Sequence, residues 1–507
     1  MNLSVIKNNI MNNYFLHINE FVKKIIKNSF AYIFGDIFTK GINFLLIPLY
    51  TSILTTSDYG IYGVLNSLTA FLAIIFSFQL SSVITINYYK LNQSERKSLI
   101  STITLLTFLS TVLFLGLTLL SGQLIFGIIL KDIPYRPYIV LAIGAAAFSG
   151  PIEVIKANFR IKEEAFQFVF FGLLQFFVNL CFTLYFVVVM NLGALGLIRA
   201  IFISNVLFGL ISLILLMRES KSKISFFQIK EAILISTPIV FHMVSHWGLN
   251  LMDRLILQSF VSLSDIGLYQ LGYQVGTIYQ VFIIAINNAW VPFFFQKKGN
   301  KDYEKIIQKI SSWLILFQLF IASLIILFKD EIFRVIINEK YYDARLIVPY
   351  VVIGFVFVTF YHMWVNILFF QKKMNLIPIS TIFAVITNIV INILLIPKFG
   401  IIGSALATTL SYGVLASIVF IFSIKMDKFR FEYNKWFKVF ISGSIIVFLS
   451  LQINYDNLYL SFFIKSFILL LWPINLSLMK FWDKEDLKYI NKLGIKIQKL
   501  IYHLVRK

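Results

Sequence analysis

From residue 30 to residue 479 the chain is a succession of apolar stretches separated by short polar or basic turns. Each stretch is about as long as the ~20 residues a helix needs to cross a ~30 Å hydrocarbon core. Fourteen are read, at 30–54, 59–86, 99–122, 138–158, 166–190, 193–217, 232–259, 265–294, 310–328, 346–370, 376–397, 400–424, 439–455 and 458–479. A backbone in lipid has no water to bond, so each stretch must satisfy its own N–H and C=O groups as a helix. The expected fold class is therefore all-α integral membrane, with about 14 transmembrane helices. Only 14% of the 507 residues are charged and 59% are hydrophobic, where a soluble domain averages about 25% charged. That balance excludes a soluble enzyme.

The formal charge is +21, which in a soluble protein would point to nucleic acid. Here its distribution carries the meaning. With the N-terminus inside, 33 of the 45 Lys and Arg fall in inner segments and 7 in outer loops. This asymmetry orients the chain with both termini cytoplasmic, facing anionic lipid. Nucleic acid is not an expected partner. The single cysteine, Cys181, lies within a span, so no intrachain disulfide or cysteine-based metal site is expected. Residues 1–27 read as an interfacial cytoplasmic segment rather than a cleaved signal, and 480–507 as a basic amphipathic cytoplasmic tail.

The chain contains an internal repeat. Ser57-Asp58-Tyr59-Gly60-Ile61-Tyr62 returns 207 residues later as Ser264-Asp265-Ile266-Gly267-Leu268-Tyr269. The same offset carries Gly193-Ala194-Leu195-Gly196 onto Gly400-Ile401-Ile402-Gly403, Ala200 onto Ala407, Ser204 onto Ser411 and Asn43 onto Asn250. One offset at separated landmarks implies two six-helix bundles, 28–217 and 232–425, joined by a basic linker, 218–231. Two further helices (435–479) follow. An even span count gives both bundles one orientation, the parallel repeat that in transporters places a substrate path near the midplane.

Ionisable groups within spans cost several kcal/mol unless they face water or a partner, so each needs an account. They are Asp36 and Lys40 on the first span, Glu153 and Lys156 on the fourth, Arg199 on the sixth, and Asp253 and Arg254 on the seventh. Lys465 lies on the last. His242, His246, Asn250 and Asp253, spaced 4, 4 and 3 apart, read as one continuous polar helix face. The set suggests a wet cavity with cations for an anionic headgroup; the competing reading is salt bridges inside the bundle, such as Asp36 with Lys40 or Glu153 with Lys156. The two histidines lack the glutamate of a zinc motif, so no metal is expected. Tyr269, Gln270, Tyr273, Gln274, Tyr279 and Gln280 either line a sugar path or form an interfacial belt.

The run Gly41-Ile42-Asn43-Phe44-Leu45-Leu46-Ile47-Pro48-Leu49-Tyr50, then Leu54 and Asp58-Tyr59-Gly60-Ile61-Tyr62, resembles the opening of bacterial polysaccharide flippases. Asn392-Ile393-Leu394-Leu395-Ile396-Pro397-Lys398-Phe399-Gly400-Ile401-Ile402-Gly403-Ser404-Ala405 is similar to their eleventh-to-twelfth span signature. These are Wzx-type lipid-linked oligosaccharide exporters of the MATE-like multidrug/oligosaccharidyl-lipid/polysaccharide superfamily. The resemblance implies alternating access that carries an undecaprenyl-diphosphate-linked oligosaccharide to the outer leaflet, for O-antigen, capsule or exopolysaccharide. It implies no catalytic residue and no cofactor beyond a coupling ion, H+ or Na+. Lys40, Arg199, Arg254 and Lys156 are then the candidates for the diphosphate. Asp36, His242, His246, Asn250, Asp253 and Glu153 are candidates for coupling or cavity polarity. The polymerase and chain-length machinery of the same pathway are the expected protein partners, and membrane lipid the surroundings. The competing classes are an ion-coupled multidrug antiporter, a peptidoglycan-precursor flippase and, more distantly, a membrane polymerase or ligase.

Overall fold

The computed structural model describes residues 41–42, 44–220, 222–298, 301–452, 457–484 and 486. These are helices and their connections, with no strand among them. The expected interfacial segment 1–27, the span-one residues Asp36, Lys40 and Asn43, and the tail from 487 onward lie outside the described residues. The described residues form two compact units, one within 1–271 and 389–404, the other within 272–388 and 405–507.

The first unit opens with α1 (Ile47–Ile53) and α2 (Thr56–Ser77), followed by α3 (Ser81–Asn87) and α4 (Gln93–Ile129). Next come α5 (Val140–Ala147), α6 (Ser149–Ile161), α7 (Ala165–Leu184) and α8 (Gly193–Glu219). Then follow α9 (Phe226–Asn250), α10 (Met252–Leu257) and the start of α11 (Leu263–Gly276). Helix starts are set by local chemistry. Thr55 and Asp58 cap α2 reciprocally, as Asn92 and Glu95 cap α4, each satisfying two N–H groups otherwise left without a partner. The core is aliphatic with a few rings: Val83, Ile103, Ile155, Phe171, Phe208 and Leu216 are buried together.

The linker after α8 is pinned rather than loose. Ser98 Oγ donates to Lys223 O (2.8 Å), and the backbone N–H groups of Ser222 and Ser225 donate to the hydroxyls of Ser101 and Thr102. Those hydroxyls sit three and four residues apart on α4, one above the other.

The second unit holds α12 (Ile278–Lys297), α13 (Lys301–Leu327), α14 (Lys329–Ile336) and α15 (Val348–Phe370). It also takes both ends of α16 (Leu376–Met426), with α17 (Tyr433–Leu451), α18 (Leu458–Leu470) and α19 (Trp472–Leu478). Helix α16 runs through 51 residues and contains both expected spans 376–397 and 400–424. Gly400, at φ +55° and ψ −135°, bends it between them; only glycine adopts that backbone at low cost. Among the described residues eleven helices, counting α16 once, are long and apolar enough to cross a membrane. The described residues therefore do not fix the count at fourteen.

Lys465, 3% exposed on α18, is ion-paired inside the second unit. Its Nζ lies 2.9 Å from Glu331 Oε1 and 3.6 Å from Asp330 Oδ2, while Ser461 Oγ donates to Glu331. Removing one member of a buried pair strands the other charge at a cost of about 3–5 kcal/mol. Lys465→Ala should therefore lower the thermal midpoint of the purified protein sharply, and adding Glu331→Gln should restore much of it. An unchanged midpoint for the single variant would show that water reaches Glu331.

Burial alone would raise the Asp330 carboxyl, but the Lys329 hydrogen bond and the charges of Lys329, Lys465 and Arg345 hold it below its ordinary 3.8. Asp427, outside the spans, is lowered likewise: burial opposes, and the Phe429 N–H, the Gln371 amide and Lys298 prevail. Because both folded values lie below the unfolded ones, their contribution is complete above about pH 4 and lost as pH falls through the folded values. Relative to an Asp330→Asn/Asp427→Asn variant, the wild-type unfolding midpoint should keep a constant advantage from pH 7 down to about pH 4 and lose it below.

Candidate functional site

The two copies of the repeated turn meet each other. Ser262 and Asp265 form the same reciprocal bonds as Thr55 and Asp58, with hydroxyl to carboxylate 2.6 Å in both. A Cβ on Gly60 would lie 1.9 Å from Leu263 O, and one on Gly267 would lie 1.9 Å from Thr56 O. The contact is reciprocal at the 207-residue offset, so a local two-fold relates the starts of α2 and α11. No other residue fits at either glycine without parting the helices. Thr56 Oγ1 and Ser264 Oγ, 2.6 Å apart, complete the crossing.

Among the described residues the other landmark joins it in the first copy alone. Asp58 Oδ1 accepts from Ala194 N at 2.9 Å and lies 2.5 Å from where a Gly193 Cβ would stand. Gly193 and Gly400 both take positive φ, +53° and +55°, but a Cβ on Gly400 would meet nothing within 4 Å. The repeats share their backbone here without sharing this tie.

One turn beyond the crossing lies a buried polar node. Leu251, at φ −134°, ends α9, and α10 begins at Met252. Ser67 Oγ donates to Leu251 O at 2.6 Å, and Trp247 Nε1 donates to Ser67 O at 3.0 Å, fixing the break against α2. Past it, Arg254 and Asp253 are 1% and 2% exposed and ion-paired at 2.5 Å. Arg254 also donates to Asn250 O at 2.7 Å and Gln270 Oε1 at 3.0 Å; Tyr269 OH donates to Asp253 Oδ2, and its ring lies under the guanidinium.

This corrects the expectation of one continuous polar face. The helix stops at Asn250, so His242 and His246 are exposed on α9 while Asp253 and Arg254 turn inward on α10. Tyr269, Tyr273 and Tyr279 are 0%, 6% and 0% exposed, so these rings neither line an open path nor form an interfacial belt. Tyr279 OH instead shares a hydrogen bond with Thr359, which donates to Gln318.

The remaining candidates separate. Glu153 is exposed and Lys156 half-buried on α6, and Lys156 bonds Gln175 (3.2 Å) rather than Glu153. Gln175 Nε2 donates to Asn205 Oδ1, and Asn205 Nδ2 to Ala145 O, a chain across α6, α7, α8 and α5 that sequence reading missed. Isolated amides in apolar helices carry no periodic signal. Arg199, half-buried on α8, has no hydrogen-bond or ion-pair partner among the described residues. A cation within a span needs water or a partner beside it.

The architecture is that of an all-helical, multi-pass membrane protein in which the two copies of one repeated turn are in contact. The chain belongs to the polysaccharide biosynthesis protein family, whose model matches residues 25–298; the MatE model matches 238–394. Among relatives, the Lsg locus protein 1 of Haemophilus influenzae is 21% identical over 78% of this chain and 99% of its own. The probable low-salt glycan biosynthesis flippase Agl15 of Haloferax volcanii is 25% identical over 36% of this chain and 40% of its own. Among solved structures, the lipid II flippase MurJ in an inward closed conformation superposes with TM-score 0.70 at 15% identity, over 88% of this chain and 98% of that one. An inward-facing MATE family multidrug transporter reaches 0.60 at 14% identity, covering 76% and 94%. These likenesses establish the superfamily fold.

Proposed function

We propose that this protein is a flippase that turns lipid-linked oligosaccharide units from the cytoplasmic to the outer leaflet of the bacterial cytoplasmic membrane. Undecaprenyl diphosphate is the carrier, and the units feed O-antigen, capsule or exopolysaccharide assembly by the pathway's polymerase and chain-length proteins. Membership of the polysaccharide biosynthesis family carries this reading. The basic inner loops support cytoplasmic termini, which puts the Gly60/Gly267 crossing at the outer end, shut. Alternating access then requires the crossing to part. Arg199 is the leading diphosphate ligand and Lys156 the second; Lys40 remains a candidate. Arg254, already satisfied by Asp253, is a structural cation. His242 and His246 are the coupling candidates for H+ or Na+, together with Asp36 and Glu153.

Deleting the gene should abolish surface glycan while lipid-linked units accumulate inside. Arg199→Ala should insert normally yet bind undecaprenyl diphosphate about 10–100-fold more weakly, the scale of a hydrogen bond to a charged group. Arg199→Lys should recover part of that. Unchanged surface glycan in the deletion strain would remove the reading. A second reading, an ion-coupled drug antiporter, draws on the MatE match over 238–394; it predicts increased drug sensitivity with intact glycan in the same strain.

A further inference from the structure

The second unit contains a cavity of about 610 Å³ between α12 and α15, lined by Asn287 and Phe295 from one helix and Tyr361, His362, Asn366 and Phe369 from the other. Its size is within the ~300–1,000 Å³ of small-molecule sites. Among the described residues no Lys, Arg, Asp or Glu lines it. That removes a diphosphate, which needs cations, and a metal ion, which needs a stronger ligand set.

Hydrogen-bonding capacity remains there instead. Asn366 Nδ2 donates to His362 O at 2.7 Å and to Asn287 Oδ1 at 3.5 Å. Asn287 Nδ2, Asn366 Oδ1, the His362 ring nitrogens and Tyr361 OH have no partner among the described residues. An acyl chain in the cavity would leave these groups unpaired at about 1–3 kcal/mol each. A polyhydroxylated ring would satisfy them, because each hydroxyl both donates and accepts, while its C–H faces rest on Phe295, Phe369 and Tyr361. Asn287 lies ten residues from Lys297 at the basic end of α12, about 15 Å along the helix. This is the inner half of the span under the charge-based orientation, where a headgroup built in the cytoplasm enters.

We infer that this cavity is a saccharide subsite that holds a neutral sugar ring of the lipid-linked unit by amide, imidazole and aromatic contacts, apart from the diphosphate. The inference rests on the flippase reading. Its test uses full-length protein in nanodiscs and two probes: the oligosaccharide released by mild acid from the lipid-linked pool of the deletion strain, and undecaprenyl diphosphate. The variants are Asn287→Leu and His362→Phe, both half-buried, because Asn366 at 3% exposure is held by its own bonds.

Each variant should weaken oligosaccharide binding about tenfold, the scale of one hydrogen bond, and leave undecaprenyl diphosphate binding unchanged. Wild-type oligosaccharide affinity in both variants, in a protein whose deletion stops export, overturns the subsite and leaves the flippase intact. An equal loss for both probes overturns it as well, because the cavity would then act on the whole fold. A deletion strain with normal surface glycan overturns both.

Discussion

In a Cys181→Ser background, Thr56→Cys combined with Ser264→Cys is expected to form a disulfide that halts glycan export until reductant is added. The two hydroxyls stand 2.6 Å apart in the closed crossing, so sulfurs in their place come within reach of a ~2.05 Å bond. Under the proposed orientation, with cytoplasmic termini, the pair lies on the outer, oxidising side of the membrane. The glycines beneath make the crossing all-or-none: carbonyl oxygens occupy both Cβ positions at 1.9 Å, so the helix starts touch backbone to backbone. A covalent tie at that point removes every state in which they part. Each single cysteine variant should export normally, since the capping boxes Thr55/Asp58 and Ser262/Asp265 do not use these two side chains. A fully crosslinked double variant that still exports would show that the crossing is scaffold and never opens.

The second large effect is on folding. Arg254→Met should break the buried ion pair with Asp253, at the scale of about 3–5 kcal/mol, and reduce the folded protein recovered from membranes. Asp253 is 2% exposed and pairs with the Arg254 guanidinium at 2.5 Å, while Tyr269 OH and the Arg254 N–H also donate to it. Asp253→Leu with Arg254→Met should recover most of the loss, as buried ion pairs replaced whole by apolar groups do. A single variant with a wild-type thermal midpoint and no export would instead make Arg254 a substrate ligand.

These contrasts mark what the sequence carried. The 207-residue offset was legible because repeated backbone needs the same residue types at the same places: a capping hydroxyl three before an aspartate, and glycine where φ is positive. That Gly60 and Gly267 touch each other was not legible, since periodicity describes each helix and not its neighbour. The 4, 4, 3 spacing of His242, His246, Asn250 and Asp253 assumed an unbroken helix. The helix ends instead at Leu251, an ordinary helix former, whose carbonyl accepts from Ser67. Asn287, His362 and Asn366 were missed for a related reason: one lies on α12 and two on α15, and only packing brings them to one cavity.

The central claim is translocation, and purified protein in liposomes tests it most directly. With undecaprenyl-diphosphate-linked oligosaccharide in both leaflets, a membrane-impermeant glycosidase is added outside and the surviving fraction is followed. Wild-type protein should expose the whole pool, and the Thr56→Cys/Ser264→Cys protein about half until reductant releases the rest. A half-protected pool with wild-type protein, the same as in protein-free liposomes, would contradict the account.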